Sequence, residues 1–321
     1  MRVSVALCTY NGERFLPAQL ASIRGQDRLP DELVACDDGS TDRTVELLRA
    51  FAAESPFRVR VEVNPTRLGS SDNFARAVSH CTGSLIALCD QDDVWHPDKL
   101  ATQEAALAAD PGANFAFSDA DVVDEHGEPL GYTLWRSIGF GRREQKQFAA
   151  GEGFECLLRR YRVTGATLMV RAALRELLLP VPRGWVHDAW FALVLSAVGR
   201  GIPVAEPLVH YRRHGGQQVG ATLRSVGEEF DAARRLTANG CDAVADRYAA
   251  ALARLEKLPG VSAERLELLA GKVAFHRKRA WLRRRAWLPA RLPGVVGELL
   301  RGNYGRYARG VLAAGQDVLL R

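Results

Sequence analysis

Within the first 120 residues, strand-like apolar runs and helix-patterned segments alternate four times, and this alternation restricts the fold more than any other feature of the chain. RVSVALC is rich in Val and ends at the turn TYNG. ERFLPAQLASIRGQ follows, with Phe15, Leu16, Leu20 and Ile23 at helical spacing. ELVACDDGS, FRVRVEVN and SLIALC read as further strands. TDRTVELLRAFAAE, SDNFARAVSHC and HPDKLATQEAALAA read as helices. Ser40 or Thr41 is placed to cap the second helix, and Pro97 sits near the first turn of the fourth. A β-α-β-α order predicts a largely parallel, doubly wound α/β sheet, because parallel neighbours need crossover connections that pack on its faces.

The same order predicts where a ligand sits. Open α/β sheets bind ligands at the carboxyl ends of their strands. The polar clusters TYNGE, DDGSTD and DQDD follow the first, second and fourth strands, so they are expected to meet in one site.

Beyond this region the pattern changes. Residues 114–220 carry Gly- and charge-rich loops (DEHGEPLG, GFGRREQ) and two helix-like apolar runs. Residues 222–321 are nearly all helical in pattern. The expected division is a domain of residues 1–220 and a basic helical extension of residues 221–321.

Charge follows this division. The last 51 residues hold 12 Lys and Arg against only Glu298 and Asp317, while the other 270 carry 31 basic and 36 acidic groups. The body is therefore mildly acidic and no general binder of polyanions, which argues against nucleic acid as a partner. Six cysteines with no C-x-x-C pair read as reduced thiols, several of them inside apolar runs. MRVSVALCTYNG turns polar too early for a secretory leader, and WFALVLSAV is about half the length of a membrane span. The expectation is a cytoplasmic protein.

DQDD poses the chemical question. A carboxylate pair across one residue at a strand end can hold a hard divalent cation through oxygen. Asp93 alone is accounted for by the dipole of the helix that follows, but capping needs one acid, not three beside an apolar strand. In DDGSTD, turn and capping chemistry explain Gly39 to Asp42, while two adjacent acids ending a strand exceed it. Asp38 could accept a hydrogen bond from a base or ribose. There is no G-x-x-x-x-G-K-[ST], G-x-G-x-x-G or G-x-S-x-G, which disfavours a kinase or serine hydrolase.

VSVALCTYNGERFLPAQLASI, VACDDGSTDRT and LCDQDDVWHPDKL together resemble the family 2 glycosyltransferases, which have the GT-A fold. The likeness is close to about residue 120 and looser to about 220, through TGATLMVR, HDAWFALVL and HYRRHGGQQVG. DQDDVW, HDAW and YRRHG resemble most the rhamnosyltransferase-like bacterial branch, whose enzymes build cell-surface polysaccharides. The fold this implies is the GT-A nucleotide-diphospho-sugar transferase, a doubly wound mixed sheet with a C-terminal helical extension.

The resemblance also implies roles. Cys8, Thr9 and Tyr10 line the nucleobase pocket; Asp38 contacts the base while Asp37 holds the loop; Arg67 reaches the nucleotide; Asp90 lies near the ribose or donor sugar. Asp92 binds Mg²⁺ or Mn²⁺ on the diphosphate, with His214 a second metal or diphosphate contact. Asp188 matches the catalytic base, and His187, Trp190 and Gly165 fall on the acceptor side. The donor is a nucleoside-diphosphate sugar, with dTDP-rhamnose the suggestion of the branch, and the acceptor a saccharide or lipid-linked saccharide. Each residue has a plainer reading: Asp188 as a helix N-cap, His214 as a solvated loop residue, Gly165 as a turn. The competing reading of the whole is a non-catalytic nucleotide-sugar or polyanion-binding module with structural carboxylates.

The segment HRKRAWLRRRAWLPARLPG sets Trp281, Trp287, Leu282, Leu288 and Leu292 among arginines. It suits an interfacial helix over residues 276–295 at the inner face of the cell membrane. It equally suits a helix whose Trp and Leu pack on the main domain with Arg in water.

Overall fold

The computed structural model describes residues 1–215, 237–285 and 288–319. They fall into two compact units. The first comprises Met1–Gly151, Arg162–Val181 and Trp185–Thr222; the second comprises Glu152–Tyr161, Pro182–Gly184 and Leu223–Arg321. The sequence division did not contain the transfer of residues 152–161 and 182–184 to the second unit.

In the first unit, β1 (Val3–Thr9), β2 (Glu32–Asp37), β3 (Arg58–Val63) and β4 (Leu85–Asp90) alternate with α1 (Leu16–Arg24), α2 (Thr44–Glu54) and α3 (Ser70–His80). β5 (Val94–Trp95) and α4 (Lys99–Ala109) follow. β1 pairs in parallel with both β2 and β4, and β2 with β3. Every residue of β1 and β2 is buried, as a sheet covered on both faces requires. Val3, Val5 and Leu7 are fully buried, worth roughly 1.5–3 kcal/mol each. All six cysteines are free and buried.

α2 begins at Thr44, and neither Ser40 nor Thr41 caps it. Asp42 does that work instead, its Oδ1 accepting the Thr44 N–H at 3.0 Å and the Thr44 hydroxyl at 2.5 Å. Ser40 is drawn away because its hydroxyl donates to Asp37.

The less regular stretch contains β6 (Ala113–Val123), β7 (Pro129–Thr133), β8 (Leu168–Arg171) and β9 (Arg200–Arg212). Its helices are α5 (Leu134–Ile138), α6 (Arg142–Ala149), α7 (Gly153–Arg159, in the second unit), α8 (Arg175–Leu178) and α9 (His187–Val198). The described strands form one mixed sheet in the order β3-β2-β1-β4-β8-β6-β9-β5, with β7 on β6. β8 runs antiparallel to both β4 and β6, while β6 and β9 are parallel. The long β6 was hidden in sequence by Ser118, Asp119 and Asp121, which interrupt its apolar run where the β6–β9 register shifts. Asp119 is accommodated there by accepting the Ala120 and Trp135 N–H groups.

The second unit adds α10 (Ala238–Leu255), α11 (Ala263–Arg284), α12 (Leu292–Leu300), α13 (Asn303–Tyr307) and α14 (Val311–Leu319). Thr237 and Ser262 cap α10 and α11. The arginines of the basic segment divide: Arg277 and Arg284 are exposed, whereas Arg279, Arg283 and Arg291 are buried. Arg279 and Arg283 lie inside, both bonded to the fully buried Asp317, which also accepts the Tyr304 hydroxyl at 2.8 Å. Leu282 is buried, whereas Trp281 is exposed with Arg285 over its ring at 3.7 Å. Trp287 and the Leu288 side chain lie outside the described residues, as do the last five residues of HYRRHGGQQVG. No described helix is long and apolar enough to cross a membrane.

Candidate active site

The strand order places a topological switch between β1 and β4, and the carboxyl ends of β1, β2 and β4 are brought side by side by the pairs Thr9–Asp37 and Cys8–Asp90. The loops leaving these strands are tied together by side chains. Asn11, at a φ of 47°, accepts the Thr41 N–H at 2.9 Å, and its own N–H donates to the Ser40 hydroxyl. Gly12 N–H donates to the Thr44 hydroxyl. A Cβ on Gly12 would meet Gln91 Oε1 at 2.3 Å, so glycine is needed for the close approach.

The two acids of DDGSTD have separate tasks. Asp37 takes the Thr9 hydroxyl at 2.7 Å, the Ser40 hydroxyl at 2.5 Å and the N–H groups of Gly39 and Ser40. It holds the loop. Asp38 is buried and accepts from Asn64 at 2.9 Å, Leu68 N–H at 2.7 Å and Gly69 N–H at 2.8 Å. Asp38 thereby anchors the loop that carries Arg67, with Gly69 supplying the φ of 86° the turn needs. A carboxylate has room for about four such bonds, and these three leave one lone pair of Asp38 over.

Arg67 lies over the Tyr10 ring, 3.9 Å from its centroid. Tyr10 is clamped by Gln91, whose Oε1 accepts the Tyr10 N–H at 2.8 Å while its Nε2 donates to the Tyr10 carbonyl at 3.1 Å. Cys8 and Thr9, the last two residues of β1, are both buried. The Thr9 carbonyl is taken by the Asp38 N–H. Gln91 was passed over in sequence because it stands between acids that drew attention to themselves.

At the end of β4 the acids crowd one another. Burial, then the charges of Asp92 and Asp188, push Asp90 up to about 8. Asp93 is raised well above its ordinary value, again by burial first and then by Asp92 and Asp90, although its Oδ1 accepts the Arg212 N–H. Asp92 faces His214, with Nε2 2.8 Å from Oδ2. The His214 ring is 4.6 Å from that of Phe15. Arg212 donates to the Asp92 carbonyl at 2.9 Å, which fixes the DQDD turn against β9. Tyr211 is raised by burial and by Asp93, Asp90, Asp92 and Asp188, so it belongs to this cluster too.

Asp188 completes it from the first turn of α9. Its Oδ2 accepts the Gly165 N–H at 2.9 Å and its Oδ1 the Ala189 N–H at 2.7 Å. A Cβ on Gly165 would lie 3.0 Å from His187 Nε2 and 3.5 Å from Asp188 Oδ2. His187 is buried and stacked on Phe74 at 3.9 Å, and neither ring nitrogen has a hydrogen-bond partner among the described residues. Burial lowers its pKa, opposed by Asp188. Trp190 is corrected: it is fully buried and its indole N–H donates to the Leu178 carbonyl at 2.8 Å, which makes it a core residue rather than an acceptor contact.

The donor set fits a hard divalent cation such as Mg²⁺ or Mn²⁺. Asp90 and Asp93 are raised by burial and by the carboxylates around them, and Asp92 has one imidazole at hydrogen-bond distance; a positive ion relieves such crowding.

Comparison with known proteins bears on the family and the fold. A family model described as Glycosyl transferase family 2 matches residues 4–178. The putative glycosyltransferase EpsE of Bacillus subtilis is 34% identical over 126 residues, covering 39% of this chain and 45% of the relative, so the match spans less than half that protein's length. Among solved structures, S. aureus TarS 1-349 in complex with UDP-GlcNAc superposes with a TM-score of 0.61 at 14% identity, covering 99% of this chain and 90% of that one. The mannosyltransferase PcManGT from Pyrobaculum calidifontis, in complex with GDP-Man and Mn²⁺, gives 0.54 at 19% identity, covering 93% and 75%.

Proposed function

This chain belongs to glycosyl transferase family 2 and has the GT-A fold, and from that premise we propose that it is an inverting, metal-dependent transferase. It moves a sugar from a nucleoside-diphosphate donor to a saccharide or lipid-linked saccharide used in cell-surface polysaccharide. The observation that supports this is the crowding of Asp90 by the charges of Asp92 and Asp188, with His214 on Asp92, at the end of a strand whose next residue, Gln91, clamps Tyr10. At the level of fold, two neighbours were solved with a nucleotide sugar, one of them also with Mn²⁺. Rhamnose rests on the resemblance of DQDDVW, HDAW and YRRHG alone.

In this reading Tyr10 and Arg67 take the nucleobase, with Asp38 reaching it through its remaining lone pair. Asp90 lies by the ribose or donor sugar. Asp92 and His214 hold Mg²⁺ or Mn²⁺, which when bound neutralises charge growing on the diphosphate. Asp188 accepts the proton of the acceptor hydroxyl as that oxygen bonds to the anomeric carbon. The bond from that carbon to the diphosphate breaks on the opposite face, and the nucleoside diphosphate leaves. A single base and one displacement invert the anomeric centre. The backbone N–H groups of Gly165 and Ala189 orient Asp188 for this step. His187, with its unpartnered nitrogens, is the acceptor-side contact.

Membrane contact through 276–295 belongs to the same reading, since a lipid-linked acceptor is held at a surface. Trp281, Leu292 and Val296 are exposed, and Leu300 beyond them is 85% exposed, with Arg285 and Arg301 close in sequence. Co-sedimentation with anionic and zwitterionic vesicles tests this part by itself.

Asp188→Asn tests the chemistry. Transfer should fall by about 10²–10⁴ while donor binding is retained. Transfer at the wild-type rate would remove Asp188 as the base. A wild-type protein that binds donors and transfers to no acceptor would instead be the binding module.

A further inference from the structure

The acidic cluster is not the only place where metal-ligating groups converge. His96, Asp121 and His210 offer one ligand atom each, all within 4.8 Å of one another. They come from three adjacent lines of the sheet. His210 is in β9, opposite Asp121 of β6 and Val94 of β5. His96 follows β5 by one residue, and its backbone is pinned by N–H donation to the Leu208 carbonyl and by Gln26 Nε2 on its own carbonyl. Residues two apart on a strand share a face, so Val94's partner His210 and His96 meet on one side.

The polar atoms there are unspent. His96 Nε2 and His210 Nδ1 are buried atoms without a hydrogen-bond partner among the described residues. The two rings lie 4.3 Å apart, tilted by 37°. The Asp121 carboxylate reaches His96 Nε2 at 3.7 Å. Ligand bonds of about 2.0–2.2 Å in a tetrahedral zinc site put neighbouring ligand atoms about 3.4 Å apart. The observed edge is close to that, and side-chain rotation alone can close the wider ones.

We propose that His96, Asp121 and His210 form a binding site for a zinc-class divalent ion, with a fourth position open to water. Two imidazoles and one carboxylate suit zinc rather than magnesium, which takes oxygen. The site shares no ligand with the donor site: His96, Asp121 and His210 belong to the residue after β5, to β6 and to β9, whereas Asp90 and Asp92 stand at and just beyond the end of β4 and Asp188 in the first turn of α9. The backbones of all three ligands are set by sheet pairing or direct hydrogen bonds, so they are preorganised. Access is adequate, since the side chains of His96 and Asp121 are 28% and 39% exposed.

The test is a zinc titration of untagged, chelator-stripped full-length protein in competition with a chromophoric chelator, with thermal unfolding in parallel. Wild type should bind one equivalent and melt at higher temperature with zinc alone. The double variant Asp92→Ala/His214→Ala should do the same. Asp121→Asn should bind at least tenfold more weakly, and His96→Gln/His210→Gln should lose the equivalent. Circular dichroism and a cooperative thermal transition establish that every variant is folded, and the nucleotide-induced thermal shift does so as well for the His96, Asp121 and His210 variants; if His96→Gln/His210→Gln is not folded, His96→Gln alone replaces it. The proposal is overturned if wild type binds no stoichiometric zinc, if the folded His96 variant binds it as tightly as wild type, or if the Asp92/His214 pair is what holds it.

Discussion

His214 Nε2 lies 2.8 Å from Asp92 Oδ2 across 122 residues of chain, and this contact joins the turn after β4 to the end of β9. Without an ion, the imidazole and the carboxylate satisfy each other. In the function proposed above, both would turn to the ion. The expected outcome is that a nucleoside diphosphate stabilises wild type only when Mg²⁺ or Mn²⁺ is present. At a ligand concentration about 100 times Kd the gain is about 2.7 kcal/mol, roughly 5 °C in Tm. Asp92→Ala and His214→Ala should each lose most of that gain, and the double variant little more, because the two act as one unit. A metal-independent shift in wild type would separate the pair from metal binding.

Gly165 gives a second way to disturb the site, without touching a charge. A methyl there would lie 3.0 Å from His187 Nε2, so His187 must shift and can carry its chain neighbour Asp188 with it, although Asp188 itself, at 3.5 Å, is in ordinary contact. Gly165→Ala should lower kcat by about tenfold or more, since small misplacements of a reacting group are costly. Donor affinity should be unchanged, because nothing on the Tyr10 side moves. If KM for the donor rises and kcat holds, Asp188 is not positioned by this contact for chemistry.

The Arg67–Tyr10 pair should govern affinity instead. Cation–π contacts contribute about 0.5–2 kcal/mol. Arg67→Ala and Tyr10→Ala are expected to weaken nucleotide binding about three- to tenfold in calorimetry, with kcat at saturating donor little altered. Tyr10→Phe keeps the ring and should bind as wild type does. A large loss in Tyr10→Phe would mean that the hydroxyl, not the ring face, is what the donor meets.

The relation between sequence and structure differs from element to element. β1, β2 and β4 were readable because their residues are buried on both faces and the turns after them use Gly, Asn and Asp in ways only turns require. That placed the donor-side loops. β6 was not readable, because Asp119 and Asp121 interrupt its apolar run and the pattern cannot show that one is satisfied by backbone N–H groups. Trp190 looked like a site residue from its place after Asp188, yet a helix buried on nearly every side leaves no signal to distinguish a core aromatic from a lining one. Asp92 with His214, and His96 with Asp121 and His210, are contacts between distant strands, which local periodicity does not encode. The first pair came from resemblance, and the triad had no signal at all.

Lys99 supplies a pH dependence with a definite sign. It is fully buried under Trp95, 4.3 Å from the ring centroid, and donates to Gln103 at 2.9 Å. Burial lowers it to about 7 against the opposing influence of Cys89 and Asp93. Between about pH 7 and its unfolded value near 10.5 the unfolded chain binds a proton that the folded chain does not. Stability contributed by this group therefore rises with pH across that window and is least below 7. Lys272 is shifted the same way, so the quantity to measure is the difference between wild type and Lys99→Met in urea unfolding from pH 7 to 9. The difference should change by up to about 1.4 kcal/mol per pH unit. A flat difference would show Lys99 charged in the folded protein.

In the second unit, Asp317 is a carboxylate shared by Arg279 and Arg283, at 2.6 and 2.7 Å, with the Tyr304 hydroxyl on it as well. Both arginines arise from the segment whose composition suggested a surface helix, and both are buried. Removing one partner of such a set leaves charge without compensation, at a cost of about 3–5 kcal/mol. Asp317→Asn should therefore accelerate amide exchange in α11, α13 and α14 while leaving β1 and β4 protected, since those strands draw on a separate core. Arg279→Met/Arg283→Met/Asp317→Leu, which removes every charge together, should restore much of the protection, because the desolvation cost goes with the ions. If Asp317→Asn exchanges as wild type does, the arginines have found water or another acceptor, and the cluster is not what holds these helices together.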